Sequence, residues 1–152
     1  MIERRLAELA ITLPEAVVPA FQYVPVTVFD RIVFVSGQLP RQGEMLVTGK
    51  VGADVTVERA REAARLCIIQ ALAGMKQALG SLDRIERILK VTGFVASAPL
   101  FNLQPKVIDA ASELLVEVFG DSGRHARSAV GVAELPRNVC VEIELIAGLR
   151  HE

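Results

Sequence analysis

The sequence predicts a two-layer α+β domain, a mixed β-sheet with two helices packed on one face. Three observations carry that expectation. Two long stretches, about Val57 to Leu79 and Gln104 to Phe119, repeat apolar residues at helical spacing. Five others alternate, or run continuously apolar, as strands do. They follow one another as ββ–α–β–α–ββ, which supplies helices for one face of a sheet and leaves the other bare.

Taken in order, Ile2 to Ala10 reads as a short amphipathic helix with Ile2, Leu6 and Leu9 on one side, ended by Leu13-Pro14. Pro14 and Pro19 bracket an irregular lead-in to Phe21-Gln22-Tyr23. Residues 1–20 are thus an N-terminal helix and lead-in, and residues 21–152 the domain proper. Val24 to Phe29 is strand-like, with Pro25 arguing for an edge or a late start. Asp30-Arg31 is a tight turn, and Ile32 to Ser36 is a continuous apolar strand. Arg41 to Asp54 is polar and glycine-rich, a long loop with room for a short strand at Met45 to Val47.

Thr56 is an N-cap and Gly80 a C-cap for the first long helix, whose inner face runs through Ala60, Ala64, Cys67, Ile68, Ala71 and Met75. Arg59, Arg61 and Arg65 read as its solvated face. Ile85 to Ala96 is the third strand, with Leu89, Val91, Gly93 and Val95 on one face and Ile88, Lys90, Thr92 and Phe94 on the other. The second long helix ends at Gly120-Asp121-Ser122-Gly123.

The last stretch reads as a β-hairpin. Val130 and Val132 alternate with small residues, and Val139, Val141, Ile143 and Leu145 alternate with Cys140, Glu142 and Glu144. If the loop Leu135 to Asn138 pairs Glu134 with Val139, then Arg127, Ala129, Gly131 and Ala133 share a face with Glu142 and Glu144. Arg127 and Glu142 would then be offset by roughly 13 Å along the strands. Small residues beside fixed charges leave room for a ligand or another subunit.

Composition narrows the function classes. Half the residues are hydrophobic and mean hydropathy is positive, so a packed domain of 152 residues is expected. A net charge of −1, with one Tyr and no Trp, argues against a nucleic-acid surface. No apolar run is long enough to span a bilayer, and the charged N-terminus is not a secretory signal. Cys67 and Cys140 make no disulfide framework and read as buried thiols of a cytoplasmic protein. His125 and His151 lack metal-ligand spacing, so no metal is expected. His125 reads as a loop or surface residue.

Four local patterns resemble the YjgF-like reactive intermediate deaminase family, also called the endoribonuclease L-PSP family. They are Tyr23 with Val35-Ser36-Gly37-Gln38-Leu39-Pro40; Gly49-Lys50-Val51-Gly52; Val91-Thr92-Gly93-Phe94-Val95; and Ala126-Arg127-Ser128 with Val132-Ala133-Glu134-Leu135-Pro136 and Val141-Glu142-Ile143-Glu144. Together they cover about residues 21–147.

The resemblance implies a chorismate-mutase-like fold, a homotrimer whose sheets form a central barrel, and a pocket at each subunit interface. It implies hydrolysis of imines and enamines such as 2-aminoacrylate to 2-oxo acids and ammonia, with no cofactor. Carried over by position, Arg127 would clamp the substrate carboxylate, since a planar guanidinium matches it with two parallel hydrogen bonds. Glu142 would position water or move protons, with Glu144 as its rival for that role. Tyr23 and Ser36 would line the pocket. The chain departs from the short members at Ala129, where they have Cys, and at Asp109, where they have Asn. A carboxylate at Asp109 would repel an anionic substrate.

Plainer roles stand beside these: Arg127 as a structural ion pair, Tyr23 as a half-buried phenol, Ser36 as a turn cap. An Arg127 locked onto acids of its own chain, with no cavity beside it, would remove the functional reading. The alternative to turnover is a carboxylate-binding regulatory trimer. A ribonuclease is the least favoured reading.

Overall fold

A computed structural model describes residues 1–152. The chain opens with α1 (Ile2–Glu8), followed by the hairpin β1 (Val26–Phe29) and β2 (Ile32–Gln38). Asp30 takes a left-handed φ of 54° in the two-residue turn between them. Two short strands, β3 (Arg41–Gln42) and β4 (Met45–Leu46), form a separate small ladder within the glycine-rich loop. Then come α2 (Val57–Leu79), β5 (Ile85–Ala96), α3 (Gln104–Phe119), β6 (Ala126–Val132) and β7 (Val141–Leu149).

The long helices begin and end where the local chemistry dictates. Thr56 Oγ1 accepts the Arg59 amide at 3.1 Å, satisfying one of the free N–H groups of the first turn of α2. Gly80, at φ 82°, takes the left-handed conformation that ends it. Pro105 sits in the first turn of α3, where its missing N–H costs nothing.

The main sheet has five strands in the order β1-β2-β7-β5-β6. All neighbours are antiparallel except β5 and β6, which run parallel with α3 as their crossover. β6 is therefore an edge strand, and β5 lies between it and β7. The expected C-terminal hairpin does not form. The Leu135–Asn138 segment turns instead through a short helical turn with left-handed Arg137 and Asn138, sending the chain across β5.

Both long helices cover one face. Val33, Val35, Val91, Val95, Val141, Ile143, Leu145 and Ala147 are buried beneath them. Gly93 gives α3 its close approach, because a Cβ there would lie 2.6 Å from Ile108 Cγ1. Arg61 reaches Glu113 at 3.0 Å and Arg65 reaches Glu117 at 3.4 Å, so the expected solvated arginine face of α2 partly ties α2 to α3. Leu6 of α1 also joins the core.

The expected face of β5 is corrected near its start. Register shifts fall between Ile85 and Arg87 and between Ile88 and Lys90, so Ile88 turns inward, fully buried, and Leu89 turns outward. The alternation from Val91 to Val95 holds. The uncovered face presents Phe29, Ile32, Phe34 and Val130, all substantially exposed, beside Lys90, Thr92, Glu142 and Glu144.

Candidate functional site

The register divides the six expected site residues into two groups. Arg127 lies opposite Val91 on the β5 ladder, and Ala129 lies opposite Gly93. Both therefore point to the helix side. Glu142 lies opposite Phe94 and Glu144 opposite Thr92, on the bare side. The expectation that Arg127 and Ala129 share a face with the two glutamates is thus corrected. It assumed a direct β6–β7 pairing, and the intervening β5 sets a different parity.

Arg127 stands at the sheet edge and folds toward α3. Its Nη1 donates to Asp109 Oδ1 at 2.7 Å and to Ser112 Oγ at 3.2 Å; its Nη2 donates to the Pro105 carbonyl at 3.4 Å. Residues 105, 109 and 112 form one stripe along the helix, so three groups of a single face hold one guanidinium. The side chain keeps 22% of its surface exposed, and Asp109 keeps 52%. Arg127 is therefore paired with an acid of its own chain, yet open to solvent. Ala129, two residues along, is partly buried and packs against the core.

His125 extends this network. Its Nδ1 lies 2.6 Å from the Gly123 carbonyl, which only accepts, so Nδ1 carries the proton. Its Nε2 then accepts from Ser112 Oγ at 2.9 Å. Ser112 donates to His125 while accepting from Arg127. Burial holds the imidazole below its ordinary pKa, and Arg127 pushes the same way against the Gly123 carbonyl. His125 lies in the loop before β6, as the sequence suggested, but is half-buried and engaged rather than free at the surface. Neither it nor Ser112 carries a local sequence signal for this bond; only a fold that brings α3 beside β6 creates it.

The second group gathers around an irregularity in β2, between Val35 and Gln38. A Cβ on Gly37 would lie 2.6 Å from Glu142 Oε2, so only glycine leaves that carboxylate its place. Burial raises the Glu142 pKa above its ordinary value, with the neighbouring Glu144 adding to the effect. Ser36 Oγ donates to the Val24 carbonyl at 2.7 Å, which fastens the lead-in bearing Tyr23 to β2. Tyr23 itself is half-exposed.

A hollow of about 240 Å³ opens on the bare face, lined by Thr27, Phe34, Ser36, Lys90, Thr92 and Glu144 among others. A second lies along Arg87, Leu89, Arg124 and His125. Arg127 lines neither and is paired with Asp109 of its own chain, so one protomer alone meets the condition that removes the functional reading; a ligand-gripping role for Arg127 requires a cleft completed by another copy. No three His, Cys, Asp or Glu side chains converge as a metal site. Both cysteines are buried; burial raises the Cys67 pKa well above normal and pushes Cys140 up to about 11, so neither is a ready thiolate. No helix is long and apolar enough to cross a membrane.

Residues 3–149 match the family described as "YjgF/chorismate_mutase-like, putative endoribonuclease". The chain is similar to Protein TCP17 of Trypanosoma cruzi, at 42% identity over 99% of this chain and 95% of that protein. It is 34% identical to a 2-iminobutanoate/2-iminopropanoate deaminase of Dermatophagoides farinae, over 90% of this chain and 92% of that one. Among solved structures it resembles Atu1372 of Agrobacterium tumefaciens, a protein of unknown function, with 49% identity, a TM-score of 0.89 and coverage of 97% and 91%.

Proposed function

Because this chain belongs to the YjgF/chorismate mutase-like family, we propose that it hydrolyses small imines and enamines of the 2-aminoacrylate type to 2-oxo acids and ammonia. The observation that carries this reading is the placing of Arg127: a partly exposed guanidinium, held by α3 at an open sheet edge beside the small Ala129. Such a fork suits a small planar carboxylate. The deaminase name of the mite relative supports the reaction class.

The sites lie between copies of the chain in this reading. Arg127 and Ala129 point to one side of the sheet and Glu142 to the other, so one protomer does not bring them into a single cleft. The exposed Phe29, Ile32, Phe34 and Val130 favour burial of the bare face against other copies, in a homotrimer. A cleft then takes Arg127, Asp109 and Ala129 from one protomer and Tyr23, Ser36 and Glu142 from the next.

In that cleft Arg127 holds the substrate carboxylate. Glu142, whose pKa burial raises above its ordinary value, takes a proton from water as the water oxygen adds to the imine carbon. Glu142 passes that proton to nitrogen, and the resulting carbinolamine collapses as its hydroxyl proton moves, by way of Glu142, to the nitrogen and the C–N bond breaks. Ammonia leaves and the C=O of the 2-oxo acid forms. The imine is already reactive, so positioning and charge placement supply the acceleration.

A second reading has its own observation. Arg127 pairs with the carboxylate of Asp109 in its own chain, so the fork can accept an acid with no chemistry following, as a carboxylate-binding site without turnover would. One assay separates the two. Amino-acid oxidase generates imines in the presence of the protein, and release of 2-oxo acid is followed. The proposed hydrolase accelerates release, and Arg127→Ala abolishes the acceleration while the protein stays folded. No acceleration across several amino acids, with a carboxylate still raising the melting temperature, leaves the binding reading.

A further inference from the structure

We propose that Asp109 is a specificity-determining residue, a built-in counter-anion in the Arg127 fork that favours zwitterionic ligands over plain carboxylates. The inference rests on the reading that Arg127 grips a ligand carboxylate.

Asp109 Oδ1 takes the strongest of the three hydrogen bonds made by Arg127, 2.7 Å long and charge-assisted. No other acid forms an ion pair with Arg127; the nearby Glu113, one helical turn on, is drawn to Arg61. Asp109 is not needed to hold the guanidinium in position, because Ser112 Oγ and the Pro105 carbonyl grip it from the same helix stripe. Its contribution is therefore charge more than placement.

A ligand carboxylate that reaches this fork must either displace Asp109 or lie beside it, anion against anion. An ion bearing only a carboxylate meets the full repulsion. A ligand with a cationic nitrogen next to its carboxylate offers Asp109 a partner; Oδ2 makes no hydrogen bond in the structure and the side chain is half-exposed. A protonated 2-imino acid is such a zwitterion, whereas the 2-oxo acid formed from it is a plain anion. Asp109 thus sorts substrate from product by charge, holding the first and weakening retention of the second.

Calorimetric titration of the intact oligomer tests this with two stable probes, 2-oxobutanoate as the plain anion and 2-aminobutanoate as the zwitterion. Four proteins are compared: wild type, Asp109→Asn, Arg127→Ala, and Glu113→Gln as a control for loss of one negative charge on the same helix. D109N should bind 2-oxobutanoate about tenfold more tightly, equivalent to ~1.4 kcal/mol, without a matching gain for 2-aminobutanoate. E113Q should bind both probes as wild type does. The inference is overturned if D109N binds 2-oxobutanoate no more tightly than wild type, if D109N gains equally for both probes, or if E113Q reproduces the D109N effect. Binding in R127A equal to that in wild type instead overturns the reading of Arg127 itself, a separate outcome.

Discussion

Arg127 and Glu142 face opposite sides of one sheet. Arg127 pairs with Val91 and Glu142 with Phe94, and those partners stand three residues apart on β5. If the two side chains act on one substrate, they come from different protomers. Mixed oligomers of Arg127→Ala and Glu142→Gln chains should then regain activity that neither variant has alone. Random assembly at equal amounts places one intact Arg and one intact Glu at about a quarter of interfaces in a closed ring, so recovery should approach a quarter of wild-type imine hydrolysis. Mixtures as inactive as the separate variants would count against shared sites.

Most elements were legible because their signals are local. α3 and β5 begin and end where periodicity and flanking glycine or proline place them, and Thr56 caps α2 as its position before the apolar repeat suggests. The partner of β6 was not legible in the same way. A turn-like loop between two strand patterns looks like a hairpin, yet the strand–helix–strand order from Ile85 to Val132 also permits a parallel crossover pairing. Tertiary packing chose the latter. Leu89 departs from its expected face because a bulge leaves no mark in the alternation until its partner strand is known. In the site, Arg127 and Asp109 were recognisable by resemblance, whereas Ser112 and His125 join them only through the placement of α3 against β6.

Gly93 is a packing requirement. It is buried in the middle of β5, and Ile108 of α3 fills the notch above it. Gly93→Ala should destabilise the fold by about 1–3 kcal/mol through overpacking, with a melting-temperature loss of roughly 2–4 °C per kcal/mol for a chain of this size. Adding Ile108→Val, which removes a methyl group from that contact, should return part of the loss. Calorimetric melting of the single and double variants checks this; a double variant as unstable as the sum of the singles would place the strain elsewhere.

His125 should make stability fall in mild acid. Burial lowers its folded pKa below the ordinary 6.5, aided by Arg127. The unfolded chain therefore binds more protons as pH drops through 6.5. The contribution to stability is complete above that value and is lost on the way down to the folded pKa. Protonation would also turn Nε2 from an acceptor into a donor against Ser112, disturbing the group that steadies Arg127. Urea midpoints measured from pH 7.5 to 5 should decline less in His125→Gln than in wild type. Equal slopes would show that the imidazole bears no such load.

Glu142 should show the opposite dependence, and the contrast separates a functional acid from a structural one. Its folded pKa is raised, by burial first and Glu144 second, so the unfolded chain releases its proton at lower pH than the folded chain. Stability is complete below the ordinary 4.5 and is lost as pH rises through the folded pKa. A carboxylate kept for structure would weaken the protein when removed. Here Glu142→Gln should raise the melting temperature at pH 7, and the gain should vanish below about pH 4. The same substitution should lower the rate of imine hydrolysis by about 10²–10⁴-fold, the usual worth of a positioned general base. A strained group held at a cost in stability is what a working site retains. A Glu142→Gln protein that melts lower and keeps its activity would assign the carboxylate to the scaffold.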